Sequence, residues 1–503
     1  MPSSNDLLAA PAPWPARLQS APVLLGLLAL WLLATLGWRP LLLPDEGRYA
    51  SVARELLLGD GLVPTLNGLP FFHKPPLFYW LDMAAMQLFG SSAFTARFAS
   101  MLGAWLLGAS LYVALRRWHG ARAAAITLGA LATCPFYFIG AQYANHDMLV
   151  AGLISAAVLA FARALDEPPR VLLNWLVAAW VACALAVLAK GLIGFVLPAL
   201  VIGPWLLAQG RWRQMFRLLH PLGLIAFFAV AAPWFVTMQS RFPGFFDYFF
   251  MEQHFRRFAQ SNFNNVHPFW FFIVVLPALT LPWSAWLPQA AQRGWAQRDV
   301  RLGLCAWWIV AVVGFFSLPS SKLVGYVLPA VAPWCVLLAL PIVQGRGRAW
   351  PWVMGASAVV CVAIVAAFAW KAPKSNRAAA LALAAQMAPT DRVVMVDEYL
   401  YDLPYYARLK APVIIAGDWA DPALPTRDNW RKEVFDAARF APALGRELLY
   451  PIGQLDALLC GTGTVWFVVS PGDAKQVAAL VGVTRTFADA RTELWRATLH
   501  ACP

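Results

Sequence analysis

The chain has 503 residues, of which 60% are hydrophobic and only 13% charged. So little charge cannot clothe a water-soluble domain, and apolar runs of roughly 18 or more residues recur, long enough to cross a hydrocarbon core of about 30 Å. The net charge of +13 does not point to nucleic acid, because most basic residues fall in short loops between those runs and no basic amphipathic stretch or nucleic-acid module is present. Backbone groups in lipid must be satisfied within the segment, so the runs are read as helices and the chain as a polytopic α-helical membrane protein.

The N-terminal run, Ala21 to Trp38, has no small-residue cleavage site and reads as an uncleaved first span. Further spans are predicted over 93–115, 121–140, 148–165, 171–189, 192–208, 217–239, 269–288, 302–318, 323–341 and 350–370. That makes about eleven, and short apolar pieces within 41–92 could raise the count to about thirteen. Arg116, Arg117, Arg122, Arg170, "RWRQMFR", "QRGWAQRDVR" and "QGRGR" occupy alternate loops. The positive-inside rule assigns those loops, and the N-terminus, to the cytoplasm. The loops carrying "DEGRY", "ANHDM", "MEQHFRRF" and "SSKLVGY" then lie on the opposite face. An odd number of spans puts the C-terminus there too.

After Lys371 the composition changes. "DRVVMVDEYLYDLPYYARL" reads as a strand followed by a helix, "APVIIA" and "GTVWFVVSP" as buried strands and "DAKQVAALVG" as a helix. The predicted organisation is a transmembrane domain, 1–370, with outer loops 41–92 and 240–268, followed by a small extracytoplasmic α/β domain, 371–503. Of the seven cysteines, five lie in or beside apolar runs and read as small hydrophobes. Cys460 and Cys502 lie in the C-terminal part, where an oxidising compartment would allow a disulfide.

Charge gathers at one face. In "PDEGRYASVAREL", Asp45 and Glu46 open a stretch whose Tyr49, Val52, Ala53, Leu56 and Leu57 recur at helical spacing, so an interfacial amphipathic helix is expected. Asp45 can cap that helix, or pair with Arg48 three residues on. In "FHKPP", Pro75 and Pro76 stiffen the chain after His73 and Lys74. Asp147, in "ANHDMLV", is either a helix cap or a functional acid at membrane depth. The aromatic segment around "MEQHFRRF" carries His254, Arg256 and Arg257, and guanidinium forks suit a phosphate. Lys322 and Tyr326, four apart in "SSKLVGY", share a helical face at a membrane edge, where they could hold the same oxyanion or be merely interfacial. No nucleotide-binding glycine loop, HExxH or GxSxG is present. Two acids and several cations at headgroup level suit a substrate with a lipid tail and a phosphate head.

These motifs carry a resemblance. "PDEGRYASVAREL" through "FFHKPPLFYWL", followed by "ANHDMLV", "AKGLIGFVLP", "EQHFRRF" and "SSKLVGYVLPA", resembles the membrane-embedded GT-C glycosyltransferases that use polyprenyl-phosphate sugars. Within the protein O-mannosyltransferase superfamily, the chain is most similar to the bacterial branch of lipid A 4-amino-4-deoxy-L-arabinose transferases. The resemblance implies a GT-C fold in an inner membrane, with its site on the periplasmic face. It implies Asp45, with Glu46 beside it, and Asp147 as catalytic carboxylates. Arg48, Lys74, Arg256 or Arg257, Lys322 and Tyr326 fall where the donor phosphate is held. His73 stands where the branch often has glutamate. With His254 it could share a divalent metal, the one cofactor left open.

The reaction so implied is inverting transfer from an undecaprenyl phosphate sugar to lipid A or another envelope glycan. A protein or polysaccharide acceptor is the alternative. A secondary transporter or flippase of a lipid-linked sugar is the rival of another class. Transporters typically show repeats and midplane charges, and neither is seen here.

Overall fold

The computed structural model describes residues 20–256, 265–296, 299–345, 349–372 and 374–501. They divide into two compact units. One comprises the described residues of 1–39, 97–261 and 265–370, the other those of 40–96 and 371–503.

The first unit is a helical membrane body. Among the described residues, at least seven helices are long and apolar enough to cross a membrane. His146–Ala164 is the central one, with 94% of its apolar window buried, whereas Trp350–Lys371, only 17% buried, turns its side chains outward. The central helix begins where Asn145 Oδ1 accepts the Asp147 N–H at 3.1 Å. It packs against Phe98–Ala132 and Pro169–Lys190. Contact with the former is glycine-mediated, because a Cβ on Gly103 would lie 2.7 Å from the Met148 carbonyl oxygen. Small residues let helix backbones approach in this way, and dispersion then acts over the whole seam.

Four expected spans differ in detail. Residues 93–115 and 121–140 join in Phe98–Ala132, broken at Gly120, whose φ of 84° favours glycine. A short helix, Pro135–Ala141, follows. The span expected over 269–288 is a broken pair, Phe271–Leu279 and Trp283–Gln292, bent by 106°. Pro277 and Pro282 withhold backbone donors there. The first helix stops at Leu33. Gln142 Nε2 donates to the Leu32 oxygen at its carbonyl end at 2.8 Å, and buried Arg97 holds the segment beyond by donating to the Leu36 and Arg39 oxygens at 2.8 and 2.9 Å.

The second unit joins the first long loop to the C-terminal region. Its strands are β1 (Thr65–Leu66), β2 (Leu69–Pro70), β3 (Arg392–Val396), β4 (Ile414–Gly417), β5 (Leu449–Pro451), β6 (Thr464–Val469), β7 (Val483–Ala488) and β8 (Glu493–Thr498). β3 to β8 form one sheet in the order β5-β4-β3-β6-β8-β7, parallel through β6 and antiparallel beyond. Val394, Val396, Phe467 and Val469 fill the core beneath Leu455, Leu459 and Val477. Cys460 is disulfide-bonded, while Cys502 lies outside the described residues.

The helix Asp45–Leu58 has the expected bounds, yet its polar face is not solvated. Ser51 Oγ donates to the Tyr401 oxygen at 2.7 Å and Arg54 to the Leu409 oxygen at 2.7 Å. Gly47 lets the Asp402 backbone come close, since a Cβ there would lie 2.9 Å from the Asp402 nitrogen. The helix is therefore clamped to 401–409 by hydrogen bonds that an isolated interfacial helix would have left to water. The β1–β2 hairpin is held likewise. Asn67 exchanges two hydrogen bonds of 2.8 Å with the Val413 backbone.

Candidate active site

In the membrane unit, candidate site side chains gather at the start of the central helix. Asp147 stands in its first turn, where Asn145 provides the cap, so its carboxylate is free for another partner. That partner is Lys190, whose ammonium is ion-paired to Asp147 Oδ1, with side-chain exposures of 12% and 8%. Lys190 is the last residue of Pro169–Lys190, and Gly191 follows with φ 88°, stopping the helix and fixing the lysine. The ammonium also lies 4.6 Å from the centroid of the Tyr326 ring. Gly325 completes the arrangement, because any Cβ there would overlap the Asp147 carboxylate. The result is a buried ion pair against an aromatic face.

Lys322 is also nearly buried, at 3% exposure. Its ammonium donates to the His267 oxygen at 2.9 Å, to the Pro319 oxygen and, more loosely, to the Ser320 oxygen at 3.4 Å. It thus ties together two short segments that already share backbone bonds, Lys322 N–H to Asn265 at 2.9 Å and His267 N–H to Ser320 at 3.1 Å.

In the second unit, Pro44 precedes the helix and Asp45 is its first residue. Asp45 is therefore not the cap itself, and its carboxylate accepts from Arg48 at 2.5 Å. The other arm of the Arg48 fork is held by Glu433, and Tyr401 Oη donates to the second Glu433 oxygen at 2.5 Å. The Tyr49 and Tyr401 rings flank the guanidinium at 4.9 and 5.6 Å. Burial pulls the Arg48 pKa down, but Glu433, Tyr49 and Asp45 outweigh it and hold the group above its ordinary range. Burial, reinforced by Glu433, raises the Tyr401 phenol well above its usual value.

Glu46 is fully buried and accepts the Leu42 N–H at 2.8 Å. His73 stacks on Phe71 with ring centroids 4.4 Å apart. Lys74 is half-buried ahead of Leu77–Phe89, whose cap is Pro76. Arg257 and the side chains of His254 and Arg256 lie outside the described residues. Among the described residues, no three His, Cys, Asp or Glu side chains are gathered to hold a metal.

Lys190, Glu433 and Tyr401 were not singled out from sequence. A lysine closing an apolar run just before glycine was the available signal for the first. The other two lie more than 350 residues from Arg48 and carried none.

The geometry can now be set beside known proteins. Residues 73–236 match the family described as dolichyl-phosphate-mannose-protein mannosyltransferase. Over 96% of its length the chain superposes on 98% of the crystal structure of ArnT from Cupriavidus metallidurans bound to undecaprenyl phosphate, with a TM-score of 0.81 at 24% identity. An Archaeoglobus fulgidus oligosaccharyltransferase, solved with Zn and sulfate, gives a TM-score of 0.51 at 15% identity, over 95% of this chain and 73% of that one. The fold is that of the GT-C membrane proteins, with a small C-terminal sheet domain.

Within that class the chain is similar to the aminoarabinose transferases. The undecaprenyl phosphate-alpha-4-amino-4-deoxy-L-arabinose arabinosyl transferase 2 of Sodalis glossinidius is 37% identical over 336 residues, 65% of this chain and 60% of that protein. The corresponding transferase of Aeromonas salmonicida is 35% identical over 354 residues, 68% and 64% of the two chains. The aligned part thus spans less than two thirds of the length of these relatives.

Proposed function

We propose that this chain is an inverting glycosyltransferase that takes 4-amino-4-deoxy-L-arabinose, or a closely similar sugar, from undecaprenyl phosphate and delivers it to lipid A or a related envelope glycolipid. The observation that carries the reading is the buried Asp147–Lys190 pair against Tyr326, at one end of the central helix. The similarity to aminoarabinosyl transferases supports the choice of donor. The alternation of arginine-rich loops supports an inner-membrane orientation, with the N-terminus cytoplasmic and the site and C-terminal domain periplasmic.

In this reading the acceptor oxygen attacks the anomeric carbon as the bond from that carbon to the phosphate oxygen breaks. The departing phosphate keeps the electron pair. Cations fixed near it stabilise the transition state more than the ground state, which is the condition for a faster reaction. Within the membrane unit, Lys190 and Lys322 are assigned that work. The acid around Arg48 has a different part. Arg48 is shared between two carboxylates, Asp45 and Glu433, and acids so placed suit the ammonium of an amino sugar. An acceptor phosphate is already ionised near neutrality and needs no base, whereas a hydroxyl acceptor would need Asp45 or Asp147 to take its proton.

The test is transfer by the reconstituted full chain from undecaprenyl phosphate 4-amino-4-deoxy-L-arabinose to lipid A, read as a mass gain on the acceptor. Asp147→Asn and Asp45→Asn should each reduce turnover about a hundredfold, the worth of one preorganised electrostatic contact at a reacting centre. Full activity in both variants would refute the site assignment.

A further inference from the structure

Lys322 stands among the cations assigned to the departing phosphate, and its own contacts bear on how it acts. An ammonium has three N–H donors and no acceptor. Three backbone oxygens surround that of Lys322: His267 at 2.9 Å, Pro319, and Ser320 at 3.4 Å. His267 belongs to a different stretch from the other two, so tertiary structure closes this cage. Val266 and Ser321 form an antiparallel bridge there, and the His267 ring stacks on Phe271 at 4.1 Å, just ahead of Phe271–Leu279. Pro319 and Ser320 follow the end of Val300–Ser317, where helix carbonyls carry partial negative charge.

The charge has no acidic partner. Burial lowers the Lys322 pKa, and no carboxylate among the described residues offsets this. With the residue only 3% exposed, carbonyl dipoles stand where water would otherwise surround the ammonium. Rings of backbone carbonyls replace the hydration shell of ions in the same way. The stretch runs directly into Val324–Ala330, whose Gly325 and Tyr326 meet Asp147 and Lys190.

We propose that the oxygens of His267, Pro319 and Ser320 form a binding site for a primary ammonium ion, and that Lys322 is its tethered occupant. The cage, and not a bond to the substrate, sets where this charge sits, and the ammonium in turn staples the two stretches together. A free amine can then do the work of the side chain once the side chain is cut away. That the charge serves a phosphate rests on the proposed function, whereas the cage itself does not.

The test uses the full-length protein in mild detergent. Lys322→Ala keeps Cβ and removes what propylammonium would restore, a short carbon stem and its ammonium. Hydrogen exchange, measured without donor, follows the amides of residues 267 and 322, which bond to Ser320 and Asn265 across the bridge. Turnover is measured separately with the undecaprenyl phosphate sugar. In Lys322→Ala both amides should exchange at least about tenfold faster than in the wild type, and turnover should fall about a hundredfold. Propylammonium should slow the exchange again and raise turnover at least about tenfold, as one recovered preorganised contact would. Ammonium should do less, and tetramethylammonium, which has the charge but no N–H, nothing. Lys322→Met refills the stem without a charge, so it should fold, exchange fast and respond to no amine. The proposal is overturned if tetramethylammonium matches propylammonium, if Lys322→Met responds as well, or if both variants exchange at the wild-type rate. Turnover that recovers while exchange does not would also overturn it, because the amine would then act on the phosphate and not in the cage. A wild type that transfers nothing would refute the proposed function, while exchange slowed by propylammonium in Lys322→Ala would still support the cage.

Discussion

Lys190 and Asp147 form an ion pair in the membrane unit although 43 residues separate them, and each side chain is almost shut off from solvent. Removing one partner of such a pair leaves an uncompensated buried charge, which costs about 3–5 kcal/mol, whereas removing both is often nearly neutral. Asp147→Ala and Lys190→Met should therefore each lower the thermal stability of the detergent-solubilised protein, and the double variant should recover most of the loss. Transfer activity should not recover with it. Activity restored together with stability would reduce the pair to a structural strut.

Glu433 serves Arg48 and Tyr401 with its two oxygens. Replacing Arg48 by lysine keeps the charge but offers a single ammonium in place of a planar fork, so it cannot satisfy Asp45 and Glu433 in the same geometry. Arg48→Lys and Glu433→Gln should each destabilise the protein by about 1–3 kcal/mol, from the loss of a charge-assisted hydrogen bond. Melting curves of the solubilised chain measure this. If the carboxylates around Arg48 hold a sugar ammonium, Glu433→Gln should also raise KM for the amino-sugar donor more than it lowers kcat.

How much of this was legible before the structure can be judged from particular residues. The bounds of Asp45–Leu58 were written in its apolar spacing, and the pairing of Asp45 with Arg48 in their three-residue separation. The strands β3, β4 and β6 announced themselves as short runs of branched residues. Partners distant in sequence did not. Nothing in "WRKEVFDAA" marks Glu433 as the acid that Arg48 would meet, because ion pairing between remote segments leaves no periodic trace. The antiparallel pair β7 and β8 was missed because β7 is largely exposed and lacks an apolar run. One local signal was available and unused. Asn67-Gly68 sits at φ 55° and 75°, the two-residue turn that dictates the β1–β2 hairpin.

Glu55 supplies a pH dependence. Its carboxylate accepts the N–H groups of Asn67 and Gly68 at 2.7 and 2.9 Å, holding that turn. Burial nevertheless raises its pKa, and the hydrogen bonds from Gly68, Thr65 and Asn67 offset this only in part. A carboxyl raised in the folded state binds more protons folded than unfolded, between the unfolded value of about 4.3 and its own higher value. Stability from this group is therefore present at the acid end of that window and declines as pH rises through it. Glu55→Gln cannot titrate. The melting-temperature advantage of the wild type over Glu55→Gln should shrink from pH 4 towards neutrality, on the order of the shift itself. An advantage that grows with pH would mean that the carboxylate is favoured as the anion.

Two glycines in membrane helices separate close packing from open space. A Cβ on Gly152 would fall on the carbonyl oxygen of Gly103, which is backbone and cannot swing aside, whereas a Cβ on Gly303 would meet nothing within 4 Å. Both positions are helical, so alanine gains the same propensity at each, about 1 kcal/mol over glycine. At Gly303 that gain stands alone, and Gly303→Ala should melt at or slightly above the wild-type temperature. At Gly152 the added methyl must push apart Phe98–Ala132 and His146–Ala164, an overpacking that costs about 1–3 kcal/mol or more. Since His146–Ala164 also carries Asp147, the same displacement shifts the carboxylate against Lys190. Gly152→Ala should therefore lose stability and most transfer activity together, while Gly303→Ala keeps both. Similar melting and turnover in the two variants would show that the seam between the helices yields easily, against the close backbone approach seen at Gly103.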